Sequence, residues 1–158
     1  MAEILVSDAN VLIDIEIGNL SPHIFQLPHE IVVPDILFEL ELKDRHARLL
    51  QMGLKVKSLN PESIRTVGLL TKKHPRPSTN DRFALSLAIQ EKCPLLTGDK
   101  ALRLAAKAEG VEVHGSLWLV QQILDKKLIT HHQAKTSFDS MKAHGSRLPW
   151  GEVEKLLT

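Results

Sequence analysis

The sequence predicts a single α/β domain whose parallel sheet is covered by helices on both faces, and three observations carry that reading. Short apolar runs alternate with segments in helical rhythm along most of the chain. The connections between them are brief, as consecutive βα units require. With 158 residues, 43% of them hydrophobic, the chain suits one compact domain that buries about 70% of its unfolded surface.

The elements follow in order. EILVS at 3–7 is a short apolar strand ending at Asp8. Beyond it Val11, Leu12, Ile15 and Leu20 recur at helical spacing. Ile31, Val32 and Val33 form a β-branched strand stopped by Pro34, which suits the first turn of a helix over DILFELELKDRHARLLQMG, closed by Gly53. KVKSL at 55–59 reads as a third strand, with Asn60 and Pro61 turning the chain into a helix near 62–73. The loop KKHPRPSTND then breaks the pattern with two prolines, and Thr79 or Asn80 is placed to cap the helix DRFALSLAIQEK. PLLT at 94–97 is a buried strand ending at Gly98 and Asp99, KALRLAAKAEG a helix, and VEVH at 111–114 the last strand. Residues 116–158 read as a helical C-terminal extension of the same domain.

Composition removes several function classes. The net charge is +1, from 20 basic and 19 acidic residues, so no global field draws in nucleic acid. There is no tyrosine and aromatics make up 4% of the chain, which argues against a platform that stacks successive bases. A nucleic-acid enzyme of this composition grips phosphates more than it reads bases. The single cysteine, Cys93, excludes an internal disulfide. No apolar run approaches the roughly 20 residues that span a bilayer, and MAEILVSDAN has no secretion-signal pattern. The expected location is the cytoplasm, with no membrane partner. Walker A, nucleophile-elbow and paired-cysteine zinc motifs are missing. A phosphoaspartate receiver needs paired acids after its first strand and an acceptor aspartate at its third, and KVKSLN offers none.

Four acids stand where strands give way to helices: Asp8, Glu39, Asp81 and Asp99. In a parallel sheet those places lie along one edge, the edge where ligands bind. Glu39 starts farther back, but a helical side chain tilts toward the helix N-terminus and can lean to the cluster. Asp35 and Glu41 flank it, and angular steps of about 100° per residue turn them away, so Glu39 is preferred. At ~4 Å and an effective dielectric of ~20, each carboxylate pair repels by roughly 4 kcal/mol. Protonation or a hard, oxygen-liganded cation such as magnesium or manganese relieves that repulsion. Taken singly, each acid also reads as a helix cap or a helix-dipole group. Asp14 reads as a solvated or helix-dipole residue.

These residues carry a resemblance. SDANVLID, VVPDILFEL, TNDRFALSLA and LLTGDKALRLAAKAEGVEVHG together resemble the PIN-domain nucleases, in particular the VapC-like toxins of prokaryotic toxin-antitoxin systems. The likeness covers residues 1 to about 115 and is weaker over the tail. It implies a three-layer α/β/α sandwich and a metal-dependent endoribonuclease using one or two Mg2+ or Mn2+ ions. It places metal-holding and catalytic roles on Asp8, Glu39, Asp81 and Asp99, and puts Asn10 in the family's Asp-x-Asn position, where it orients Asp8 or a bound water or else caps the first helix. It implies an RNA substrate, a cognate antitoxin protein and a homodimer as partners. Lys100 and Arg103 stand where many relatives carry a further acid. The rival reading is a non-catalytic RNA- or protein-binding module that kept the fold.

Lys72, Lys73, His74 and Arg76 are candidate guides for the phosphate backbone, with a solvated loop as the plainer reading. Leu117, Val120, Leu124 and Leu128, with Trp118, Leu148 and Trp150, read as core cover; the resemblance adds a dimer seam or antitoxin groove. The adjacent His131 and His132 read as surface residues.

Overall fold

A computed structural model describes residues 3–158. Five strands, β1 (Glu3–Ser7), β2 (His29–Pro34), β3 (Lys55–Lys57), β4 (Leu95–Leu96) and β5 (Val113–His114), form one sheet in the order β3-β2-β1-β4-β5. Every pairing is parallel. β1 lies at the centre, pairing Val6 with Val32 on one side and with Leu95 on the other. Leu5, Val6, Ile31, Val32, Val33, Leu95 and Leu96 are all essentially inaccessible. Strands covered on both faces read as continuous apolar runs for this reason, without alternation. β3 sits at an edge and carries exposed lysine, which blunts pairing with another chain.

The chain runs from β1 through α1 (Ala9–Ile17) and the short α2 (Ser21–Ile24) to β2. From β2 it enters α3 (Asp35–Leu37), a π-helical stretch at Phe38–Leu42, α4 (Lys43–His46) and α5 (Leu49–Met52). After β3 come α6 (Pro61–Lys73) and α7 (Thr79–Glu91), and α8 (Lys100–Ala108) links β4 to β5. α9 (Ser116–Asp125), α10 (His131–Ala143) and α11 (Trp150–Leu157) complete the chain. One layer holds α7, lying across β1, β2 and β4, with α6 and α8 beside it; the other holds α1, α2, α9 and α10. The fold is the expected α/β/α sandwich.

One helix predicted over Asp35–Gly53 is observed in pieces. Within it the N–H of Lys43 bonds the carbonyl of Phe38, five residues back, in a widened turn. Leu37, Phe38 and Leu42 are buried there while Leu40 is 68% exposed. Gly53 does end the run, at φ +132° with Phe25 3.3 Å from where a Cβ would stand. The caps also differ in detail: Ser78 caps α7 through the N–H of Asp81 at 3.1 Å, so the cap lies one residue before the expected pair.

The C-terminal helices are built into the core. Leu119, Val120, Ile123, Phe138 and Met141 are 0–2% exposed, each burial contributing roughly 1.5–3 kcal/mol. α10 lies so close to the end of α1 that Ser137 Oγ donates to the carbonyl of Gly18 at 2.6 Å, and a Cβ on Gly18 would meet Met141 at 2.6 Å. Trp118 stacks on His114, so much of the apolar stripe is core and the aromatic bulk lies beside β5. No helix among the described residues is long and apolar enough to cross a membrane.

Candidate active site

The sheet order reverses direction between β1 and β4, because the chain adds β2 and β3 on one side of β1 and then crosses to the other. A crevice outside the carboxyl ends of two such strands is the preferred ligand site of open α/β sheets. Asp8 ends β1 there, and Thr97 and Asp99 follow β4.

Asp8 is 1% exposed. Its Oδ1 accepts the N–H of Val11 at 2.9 Å, capping α1, and its Oδ2 accepts from the Thr97 hydroxyl at 2.5 Å. The same hydroxyl accepts the N–H of Asp99 at 3.0 Å. Thr97 thus ties the two strand ends together through one oxygen. Asp99 Oδ2 caps α8 through the N–H of Leu102 at 2.8 Å, and its Oδ1 takes no hydrogen bond among the described residues. Asp8 and Asp99 are therefore caps with one oxygen each, and the functional and structural readings of these acids are compatible.

Burial drives the Asp8 carboxyl up to about 7, against the pull of Thr97 and Val11, with the charges of Asp81 and Asp14 adding to the rise. Asp81, in the first turn of α7, is raised by burial and by the charge of Asp99. These directions place Asp8, Asp81 and Asp99 in one electrostatic neighbourhood.

Glu39 is not brought to it. Its side chain is 58% exposed and pairs with Lys43 at 3.0 Å, one helical turn on. Glu41 faces the cluster instead: its carboxyl is raised by burial and by the charge of Asp81, with the Asn80 amide acting against the rise. The stretch Phe38–Leu42 is wound as a π-helix, where the 100° step per residue of an α-helix does not hold. Asp35 is held elsewhere, accepting from Ser58 Oγ at 2.8 Å. Asn10 is exposed on the first turn of α1 and makes no hydrogen bond to Asp8 among the described residues; the cap of that helix is Asp8 itself.

Asp14 is half-buried, not solvated. Ser146 Oγ donates to its Oδ1 at 2.7 Å, Ser116 Oγ lies 3.4 Å from its Oδ2, and burial raises its carboxyl. Both serines come from the C-terminal part of the chain, which folds back so that Arg147 overlies Gly98. No local sequence signal announces contacts 102 and 132 residues away.

The basic loop before α7 has its own internal work. His74 Nε2 meets Glu109 at 2.9 Å and Lys73 Nζ lies 3.5 Å from the same carboxylate. Buried Arg82 donates to the carbonyls of His74 and Pro77, which holds the loop against α7. His131 and His132 are exposed. Cys93 is half-buried at the other end of the sheet, its thiol pushed up to about 11 by burial.

The donor set suits a hard cation: Asp8, Asp81, Asp99 and Glu41 offer carboxylate oxygens, with the charge of Asp81 acting on Asp8 and Glu41 and that of Asp99 on Asp81. Among the described residues no three such side chains already converge closely enough to hold an ion. The carboxylates share a neighbourhood and a cation must gather them.

The chain matches the PIN-domain family (DUF3368) over residues 4–158, and it belongs to that family. PIN domains are in general nucleases and use divalent metals. Among solved structures, a PilT N-terminus domain protein from the hyperthermophilic archaeon Sulfolobus solfataricus aligns with a TM-score of 0.56 at 16% identity, covering 77% of this chain and 93% of that one. That likeness concerns the fold. No curated protein matches the sequence.

Proposed function

We propose that the protein is an endoribonuclease that hydrolyses RNA phosphodiester bonds with Mg2+ or Mn2+ at the edge formed by Asp8, Asp81, Asp99 and Glu41. The observation that carries the reading is the buried Asp8 at the switch between β1 and β4, joined to the backbone of Asp99 through the Thr97 hydroxyl, with Asp81 close enough for its charge to act on Asp8. When bound, one or two divalent ions supply an activated water and neutralise charge on the phosphodiester. Asp8 is the fixed member, its rotamer locked by Val11 and Thr97. Asp99 presents its free Oδ1, anchored through the other oxygen. Asp81, at the start of α7, and Glu41, beside Asn80, complete the set. Asn10, on the rim, is placed to meet a water or a phosphate. The expected products carry a 5′-phosphate and a 3′-hydroxyl.

The resemblance of SDANVLID, VVPDILFEL and TNDRFALSLA to VapC-like toxins extends the proposal to the toxin of a toxin-antitoxin pair acting in the cytoplasm, with a cognate antitoxin and a second copy of the chain as proposed partners. Single-stranded RNA incubated with the protein in Mg2+ and in chelator tests the chemistry. Cleavage in Mg2+ alone, reduced at least about 100-fold in folded Asp8→Asn or Asp99→Asn protein, is expected. Variants that cleave as fast as wild type would remove Asp8 and Asp99 from the chemistry, and wild type that binds RNA without Mg2+-dependent cleavage would favour the non-catalytic binding module.

A further inference from the structure

Beside the acidic edge lies a second cavity, of about 390 Å3, between α8, β5, the start of α9 and the segment before α11. It shares Asp14, Gly98 and Arg147 with the cavity that holds Asn10 and Asp99, so the two are one continuous groove. Its volume falls in the range that encloses a small ligand, about 300–1,000 Å3.

The lining has a definite chemistry. His114 and Trp118 stack with centroids 4.0 Å apart and planes 14° from parallel, and a tilted contact to His29 at 5.9 Å steadies the indole. Arg103 and Arg147 also line the cavity, both exposed and neither in an ion pair among the described residues. Gln121 offers an amide, and Glu152 a carboxylate. Planar aromatic surface, two unengaged guanidinium groups and a few hydrogen-bonding side chains are what a nucleotide requires.

We propose that this pocket is the subsite for one nucleotide of the RNA next to the scissile phosphate, its base against the His114–Trp118 pair and its phosphate on Arg103 and Arg147. The proposal rests on the nuclease reading and names the part of the substrate that reading leaves open. It also fits the scarcity of aromatics: the pair offers a place for one base, and no row of rings exists for a run of them. Arg103 and Arg147 thereby acquire a use in binding phosphate.

The test uses the full chain with Trp150→Phe, which leaves Trp118 as the sole tryptophan, titrated in chelator with 5′-AMP, adenosine and inorganic phosphate. Saturable quenching by 5′-AMP is expected, weakened about tenfold or more by Arg103→Ala with Arg147→Ala and by removal of the phosphate from the ligand. Anisotropy of a labelled single-stranded RNA with otherwise wild-type tryptophans provides a second readout, with the same double arginine variant expected to weaken binding. Absence of quenching together with unchanged RNA affinity overturns the subsite and leaves the pocket to a protein partner. The two readings separate cleanly. Nucleotide quenching without Asp8-dependent cleavage supports the pocket and removes the nuclease, whereas Asp8-dependent cleavage with no quenching removes the pocket alone.

Discussion

Asp8 shows how a single residue serves two ends at once. One oxygen caps α1 and the other joins β4 through Thr97, yet burial holds its carboxyl near 7 instead of the ordinary 3.8. The folded state therefore binds a proton that the unfolded chain has released between those values. The stability that protonated Asp8 contributes is complete below pH 3.8 and is lost as pH rises through about 7, a swing on the order of 4 kcal/mol. Asp14, Asp81 and Glu41 are displaced in the same direction. In urea titrations of metal-free protein, Asp8→Asn should be more stable than wild type at pH 8, with a smaller gain at pH 5. Equal effects at both values would show that Asp8 is not held protonated by its surroundings.

Among the elements, the stretch between β2 and β3 decides which acid joins the site. Within the π-helical turn at Phe38–Leu42, Glu41 lies beside Asn80 and Asp81 while Glu39 pairs with Lys43. Glu41→Gln should lower the Mg2+-dependent cleavage rate by about tenfold or more, while Glu39→Gln changes it by less than about twofold. The opposite ranking would return Glu39 to the cluster. Asp8, Asp81 and Asp99 were legible in the sequence because each follows a strand or opens a helix, and local rules locate such places. Glu41 was not, because one widened turn leaves no mark in the hydrophobic pattern. Asp14 was hidden for another reason, since its serine partners reach it only after the C-terminal helices have packed.

For the whole molecule, alternating strands and helices specified the layers and the parallel sheet, but the order β3-β2-β1-β4-β5 depends on pairing between distant segments that no local pattern encodes. That order is what makes the acidic edge a site. It places the end of β1 against the end of β4, so that Asp8 and Asp99 stand at adjacent strand ends with Asp81 in the same electrostatic neighbourhood. The C-terminal helices, included in the family match over residues 4–158, pack in one layer against the sheet and lend Ser116, Ser146 and Arg147 to the groove. With a net charge of +1, the chain has no general field for nucleic acid, so the proposed nuclease would hold RNA by that groove and a bound cation. Calorimetric titration of the metal-free protein with Mn2+ tests the central claim most directly. Saturable uptake of one or two ions per chain by wild type, lost in Asp8→Asn combined with Asp81→Asn, is the predicted result. Uptake unchanged by that pair of substitutions, or no uptake by wild type, would contradict it.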